Sequence, residues 1–195
     1  MILISVEGLD SSGKTTVAET IVTYLRKTHL EHLYLHEGEL RRDAKSPFLS
    51  PFFSLKDPWV RDLLYSALTI STVQNCLSKV APDTVVVIDR YVDSLWAYTD
   101  ENSNYTLSEY VREFVHAISF DAPIPNLTLF CNTPLTEVER RRTALGESFN
   151  LEFEQRTLKQ FKERLGRAQT RVVEVHPETP PVDIVNEVRN RLRRF

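Results

Sequence analysis

Cysteine, long apolar runs and an excess of one charge are all scarce in this chain, and each shortage removes a class of protein. The two cysteines, Cys76 and Cys131, stand far apart and form no CxxC pair. Neither a disulfide framework nor a zinc site is therefore expected, and both are read as buried free thiols. His29, His32, His116 and His176 show no metal-ligand spacing. No apolar run approaches the ~20 residues that a bilayer-spanning helix needs. The opening Met1-Ile2-Leu3-Ile4-Ser5-Val6-Glu7 is apolar but short and lacks a basic flank, so no signal peptide is expected. The chain reads as cytoplasmic, with no membrane partner. A formal net charge of −3 gives no basic face for nucleic acid, and it is too mild to imply a cationic partner. Asn126-Leu127-Thr128 matches a glycosylation sequon, read as chance without a secretory signal.

What is present is an alternation of strand and helix patterns. Ile2 to Val6 is a short β-rich run, followed by Lys14 to Lys27, where Val17, Ile21, Val22 and Leu25 recur at helical spacing. His32 to His36 is a second candidate strand. Residues 57–80 read as a long helix ended by Pro82, with Leu63, Leu64, Ala67, Leu68 and Ile70 dense along it. Thr84 to Ile88 looks like a strand buried on both faces, as parallel sheets require. Leu107, Tyr110, Val111, Phe114, Val115 and Ile118 mark an amphipathic helix. Leu127 to Phe130 is another buried strand, and Pro134 opens a basic helix through Arg142. A loop over 143–150, a charged helix over 151–167 and a strand from Arg171 to Val175 follow. The last helix carries Val182, Val185, Val188 and Leu192 on one face. The proline-rich stretch from His176 to Val182 is short enough to be a connection. With no repeat, low-complexity tract or linker, residues 1–195 are expected to form a single α/β domain. It is a parallel sheet with helices on both faces.

The strongest chemical signal is Gly8-Leu9-Asp10-Ser11-Ser12-Gly13-Lys14-Thr15, a full G-x-x-x-x-G-K-[ST] pattern between a strand and a helix. Glycines allow a tight loop whose backbone N–H groups point at phosphate oxygens, and the helix start adds its positive dipole end. Gly8, Ser11, Ser12, Gly13, Lys14, Thr15 and Thr16 form the expected ATP-binding set. Lys14 is assigned to the β- and γ-phosphates and Thr15 to Mg2+.

Asp89-Arg90-Tyr91 directly follows the buried strand, where ligands bind in open parallel sheets. A carboxylate there reaches the metal, directly or through water, and the arginine clamps a phosphate. A plain salt-bridged pair at a strand end is the alternative. Asp10 inside the loop is repelled by bound phosphates, so its presence suggests a role, either holding the acceptor's sugar hydroxyl or orienting an arginine that bridges both phosphates. The alternative is a solvated loop carboxylate.

These residues resemble the thymidylate kinase family. The resemblance lies in Val6 to Thr16, in Asp89-Arg90-Tyr91 followed by Ser94 and Ala97-Tyr98, in Pro125 to Phe130, and in Pro134 leading to Arg140-Arg141. It covers most of the chain in order. It implies a three-layer P-loop fold with a five-stranded parallel sheet, a lid over about 143–150, a magnesium requirement and a homodimer. By that resemblance Lys14, Arg90 and a lid or helix arginine stabilise the transferring phosphoryl group, and Asp10 and Asp89 organise acceptor and metal.

The chain departs from the family at three places. A Glu-Pro-Gly-Gly stretch is replaced by His36-Glu37-Gly38-Glu39-Leu40, which keeps only the acid, Glu37. The arginine that the family places in the long helix to read a pyrimidine aligns with Leu68 or Thr69. No arginine stands near Glu147-Ser148-Phe149 or in the P-loop, which leaves Arg142 and Arg156 as substitutes. Loss of a base-reading arginine removes a charge-assisted hydrogen bond worth roughly 1.5–3 kcal/mol and leaves the transfer apparatus intact.

Tyr65 falls where the family stacks an aromatic on the acceptor base; Phe48, Phe52, Phe53 and Trp59 precede it. Tyr98 is placed to crowd the sugar. For each of these, core packing is the competing reading. The run from Glu137 to Arg142 is a solvated helix face or a source of γ-phosphate charge, and Arg140 is the arginine assigned to ATP. The function expected is ATP-dependent phosphorylation of a nucleoside monophosphate, dTMP first, with the acceptor held by Glu37, Tyr65, Arg90 and Tyr98. A deoxynucleoside kinase with Glu37 or Asp10 as general base and a nucleotide-binding regulatory protein stay open.

Overall fold

The computed structural model describes residues 1–36, 58–98, 113, 114, 117, 122–168 and 171–193, without the side chains of 58–62 and 65. Five parallel strands lie in the order β2-β3-β1-β4-β5. They are β1 (Ile2–Gly8), β2 (His32–Leu35), β3 (Val85–Asp89), β4 (Leu127–Cys131) and β5 (Val172–Val175). Between and after them run α1 (Lys14–Lys27), α2 (Pro58–Leu77), α3 (Val92–Tyr98), α4 (Leu135–Ala144), α5 (Leu151–Gly166) and α6 (Pro181–Leu192).

The central strands are apolar on both faces because helices cover both. Ile4 pairs with Val87 and with Leu127, and these side chains pack with Ile21 and Leu25 of α1 and Ile184 and Val188 of α6. The alternate residues Leu3, Val86 and Ile88 face the other way, onto Ile70 and Val73 of α2 and Leu95 of α3. A third cluster joins Leu9, Phe130, Val138, Phe161 and Leu165, seating α4 and α5 beside the loop after β1. At about 25 cal/mol per Å2 of buried apolar area, each such side chain contributes roughly 1.5–3 kcal/mol. Asn126 ties β4 to β1: its backbone N–H donates to the Leu3 carbonyl, and its side-chain oxygen accepts from the Leu3 N–H at 2.8 Å.

The three-layer fold expected from the sequence is the one observed, with particular corrections. The long helix stops at Leu77, short of Pro82, and Ala67 on it is exposed. Helix α4 runs on to Ala144, two residues into the expected lid. On α6 the inward face is Ile184 and Val188, while Val182 is 61% exposed in the first turn. Helix α3 has no counterpart in the sequence pattern. Cys131 is buried and Cys76 half-buried, both free. Most of the helix expected over 107–118 lies outside the described residues. Among the described residues no helix is long and apolar enough to cross a membrane.

Candidate active site

Strand β1 ends at Gly8 beside β3, with Val6 opposite Asp89 and Gly8 opposite Cys131. The loop after β1 and the turn after β3 therefore open at the same edge of the sheet. A Cβ on Gly8 would lie 2.8 Å from Ser12 Oγ and 2.9 Å from the Cys131 carbonyl oxygen, and its φ of 145° disfavours any L side chain. Gly13 caps α1 with φ 99°, which turns the first N–H groups of the helix toward the loop's concave side. Thr133 braces the loop from β4 by donating its hydroxyl to the Ser12 carbonyl at 2.8 Å.

Lys14 is buried and donates to the Leu9 carbonyl at 2.5 Å. Burial first, then the charge of Arg90, pulls its pKa down to about 8, against a smaller upward pull from Asp10 and Asp89. Thr15 donates its hydroxyl to Asp89 Oδ2 at 2.8 Å. The other oxygen, Asp89 Oδ1, is buried and has no hydrogen-bond partner among the described residues. An orphaned carboxylate oxygen beside a threonine hydroxyl is a donor set suited to a hard cation that keeps several waters. Among the described residues no group of three His, Cys, Asp or Glu side chains could hold a metal by itself; the Asp89 carboxylate and the Thr15 hydroxyl are a pair that fits Mg2+ with its remaining positions filled by water or phosphate. His36 approaches the same carboxylate, its Nε2 3.9 Å from Asp89 Oδ2.

Arg90 takes a left-handed conformation, φ 69°. Its guanidinium pairs with Asp10, reaches the Gly8 carbonyl at 3.4 Å and lies with Cζ 5.1 Å from the centre of the Tyr98 ring. The Tyr98 hydroxyl in turn accepts from the Asp10 N–H at 2.9 Å. Of the two roles open to Asp10, orienting an arginine is the contact seen. Burial pushes the Tyr98 phenol up, so it stays neutral.

Lys14, Thr15, Asp89, Arg90, Asp10 and Tyr98 are thus brought together. Thr16 is exposed and lines a groove between α1 and α6. Arg140 lines a cavity of about 390 Å3 with Ser11, Gly13 and Thr15, but its guanidinium lies on Glu137 and its side chain is 68% exposed. Its neighbour Arg141 reaches the loop, donating to the Ser11 carbonyl at 3.2 Å and to Glu137 at 2.7 Å. The periodicity held that signal: Arg141 is three residues beyond Val138, the buried residue of α4, and so shares its face. Arg142 is engaged elsewhere, in an ion pair with the buried Glu154 and 3.6 Å from Glu147. Arg156 stacks over Phe153 at 5.6 Å. Of Leu68 and Thr69, either of which aligns with the family's base-reading arginine, Leu68 is half-buried and Thr69 is buried, its hydroxyl unpartnered among the described residues. Glu37 and the side chain of Tyr65 lie outside the described residues, as do the side chains of Phe48, Phe52, Phe53 and Trp59.

Comparison with known proteins agrees with this geometry. The family model described as thymidylate kinase matches residues 6–188. The chain is 27% identical over 179 residues to the thymidylate kinase of Mycoplasma capricolum subsp. capricolum, covering 90% of this chain and 83% of that one. It is 28% identical over 201 residues to that of Carboxydothermus hydrogenoformans, covering 97% and 95%. The crystal structure of thymidylate kinase from Ehrlichia chaffeensis superposes with a TM-score of 0.69 at 18% identity, covering 98% of both chains.

Proposed function

The chain belongs to the thymidylate kinase family, and from that premise we propose that it transfers the γ-phosphoryl group of ATP to dTMP, giving ADP and dTDP. The observation that carries the reading is the meeting of Lys14, Thr15, Asp89, Arg90 and Asp10 at the carboxyl ends of β1 and β3. Phosphoryl transfer asks little covalent chemistry of a protein; positioning and charge do most of the work.

In this reading the loop N–H groups and the start of α1 hold the ATP phosphates, with Lys14 on their outer oxygens and Arg141 on the nucleotide side of the loop. Thr15 and Asp89 would hold Mg2+, which would supply positive charge to offset that of the transferring phosphates. Arg90, aimed by Asp10, holds the acceptor phosphate in line. Tyr98, packed against Asp10 and Arg90, closes the sugar side. Glu37 and Tyr65 complete the acceptor site. A single domain, a homodimer and a cytoplasmic location belong to the same reading, and light scattering tests the dimer.

The deciding experiment is ADP release from ATP and Mg2+ with dTMP, other deoxynucleoside monophosphates and free deoxynucleosides, with Lys14→Ala as the blank. Turnover on dTMP above the others is the expected result. Turnover on free thymidine alone would replace the reading with a deoxynucleoside kinase, and ATP binding without turnover on any acceptor would leave a nucleotide-binding protein.

A further inference from the structure

Glu7 is a fully buried acid that the transfer chemistry leaves unused. It is the last side chain of β1 before Gly8, and its two carboxyl oxygens are both engaged across the sheet edge. One accepts from the Tyr91 N–H at 3.0 Å and the other pairs with the Ser94 hydroxyl. These partners flank the first turn of α3. Between them and Asp89 sits Arg90, whose φ of 69° is unfavourable for a non-glycine residue and persists only where surrounding contacts over-determine it. The contacts are countable. The Arg90 N–H donates to the Val6 carbonyl at 3.0 Å, and the next N–H, of Tyr91, donates to Glu7. Consecutive residues of β1 thus grip consecutive N–H groups of the turn.

We propose that Glu7 is a positioning residue for Arg90: its carboxyl group locks the β3–α3 turn so that the guanidinium is delivered to Asp10 and the acceptor side of the site. This inference rests on the reading of Arg90 as the acceptor-phosphate clamp. Burial first, then the neighbouring Asp93, raises the Glu7 pKa to about 8, with Ser94, Arg90 and the Tyr91 N–H pulling the other way. The shift favours the neutral acid, and the two oxygens accept from the Tyr91 N–H and from the Ser94 hydroxyl. An amide has the same shape and can make both contacts, whereas an alkyl chain of similar size can make neither.

The test compares Glu7→Gln, Glu7→Leu and Ser94→Ala with the wild type in steady-state kinetics, varying dTMP and ATP separately. Glu7→Leu is expected to raise KM for dTMP tenfold or more with KM for ATP within twofold. Ser94→Ala should show the same split at a smaller amplitude, and Glu7→Gln should stay within threefold of wild type on both. If Glu7→Leu does not fold, the other two variants carry the comparison. Equal losses on both substrates, a Gln variant as impaired as Leu, or no dTMP effect in either Leu or Ser94→Ala would overturn the proposal. Wild-type turnover on dTMP is measured first. If another acceptor in the survey is used instead, the substrate reading fails and the same split, read with that acceptor, still judges Glu7.

Discussion

Replacing Lys14 by methionine should stabilise the protein while abolishing ATP turnover. In the folded chain burial, followed by the charge of Arg90, holds the Lys14 pKa near 8, against an ordinary 10.5. At about 1.4 kcal/mol for each factor of ten, the protonated side chain costs the fold about 3 kcal/mol relative to a neutral one. The sign follows from proton binding. Between pH 8 and 10.5 the unfolded chain holds this proton and the folded chain does not, so stability rises with pH across that window. Below pH 8 the full penalty applies. Methionine keeps the unbranched stem and drops the charge. The Leu9 carbonyl loses the ammonium but retains the Ser12 N–H at 3.2 Å, so no acceptor is stranded. The net gain at pH 7 is about 1–3 kcal/mol, which for a chain of this size is a rise in Tm of several degrees, at about 2–4 °C per kcal/mol. Urea unfolding of both proteins at pH 7, 8.5 and 10 measures it: the gap should narrow as pH rises. A variant less stable than wild type at pH 7, or a gap that does not change with pH, would refute the reasoning. In the wild type, the same electrostatics predict that ATP binding at pH 8 takes up a fraction of a proton, visible calorimetrically in buffers of different ionisation enthalpy.

Four further outcomes are expected. Gly8→Ala forces a Cβ to within 2.9 Å of a backbone carbonyl at a φ of 145°; overpacking and strain together should cost about 3 kcal/mol in urea unfolding. Arg141→Ala should raise KM for ATP about tenfold while Arg140→Ala changes it less than threefold, because only Arg141 touches the loop. Arg142→Ala strands the buried Glu154 carboxyl, whose pKa burial already raises, and should cost roughly 3–5 kcal/mol. Adding Glu154→Leu should recover most of it. Thr15→Val should raise the Mg2+ concentration for half-maximal turnover about tenfold, read by titrating Mg2+ at saturating ATP, since Asp89 then stands without its hydroxyl partner.

How much of this is legible in the sequence depends on whether the physics is local. A phosphate loop needs glycine where φ is positive and a lysine and threonine at the helix start, so Gly8 to Thr15 reads directly from spacing. Strands buried on both faces need unbroken apolar runs, and Val85 to Ile88 supplies one. Helix α3 is invisible because it has only seven residues and buries Asp93 and Ser94 alongside Val92, Leu95 and Ala97, so no alternation of polar and apolar positions marks its period. The partner that makes Asp93 tolerable there, Arg164, donates at 2.5 Å from 71 residues away. Sequence periodicity cannot signal a burial settled by such a distant charge. The face of α6 departs from its apolar spacing because Val182 follows the Pro180-Pro181 entry in the first turn, where the core has not yet begun.

The same distinction explains why Asp10 looks out of place in the sequence. A carboxylate inside a phosphate loop opposes its ligand, and only an arginine 80 positions on makes it intelligible. Around the loop the groups proposed to meet phosphate or metal each have a partner in this structure: Arg90 on Asp10, Lys14 on the Leu9 carbonyl, Thr15 on Asp89, Arg141 on Glu137. Two cations, Lys14 and Arg90, and two carboxylates, Asp10 and Asp89, share a partly buried pocket in which burial and Arg90 leave the Lys14 charge net unfavourable until phosphate arrives. Ligand binding at such a site is an exchange of partners, and its net free energy is a difference between two paired states. On the proposed reading Asp10 would act in both states, as counter-ion to Arg90 before binding and as the group that aims it afterwards. That double duty is why an acid is retained where phosphate electrostatics alone would exclude it.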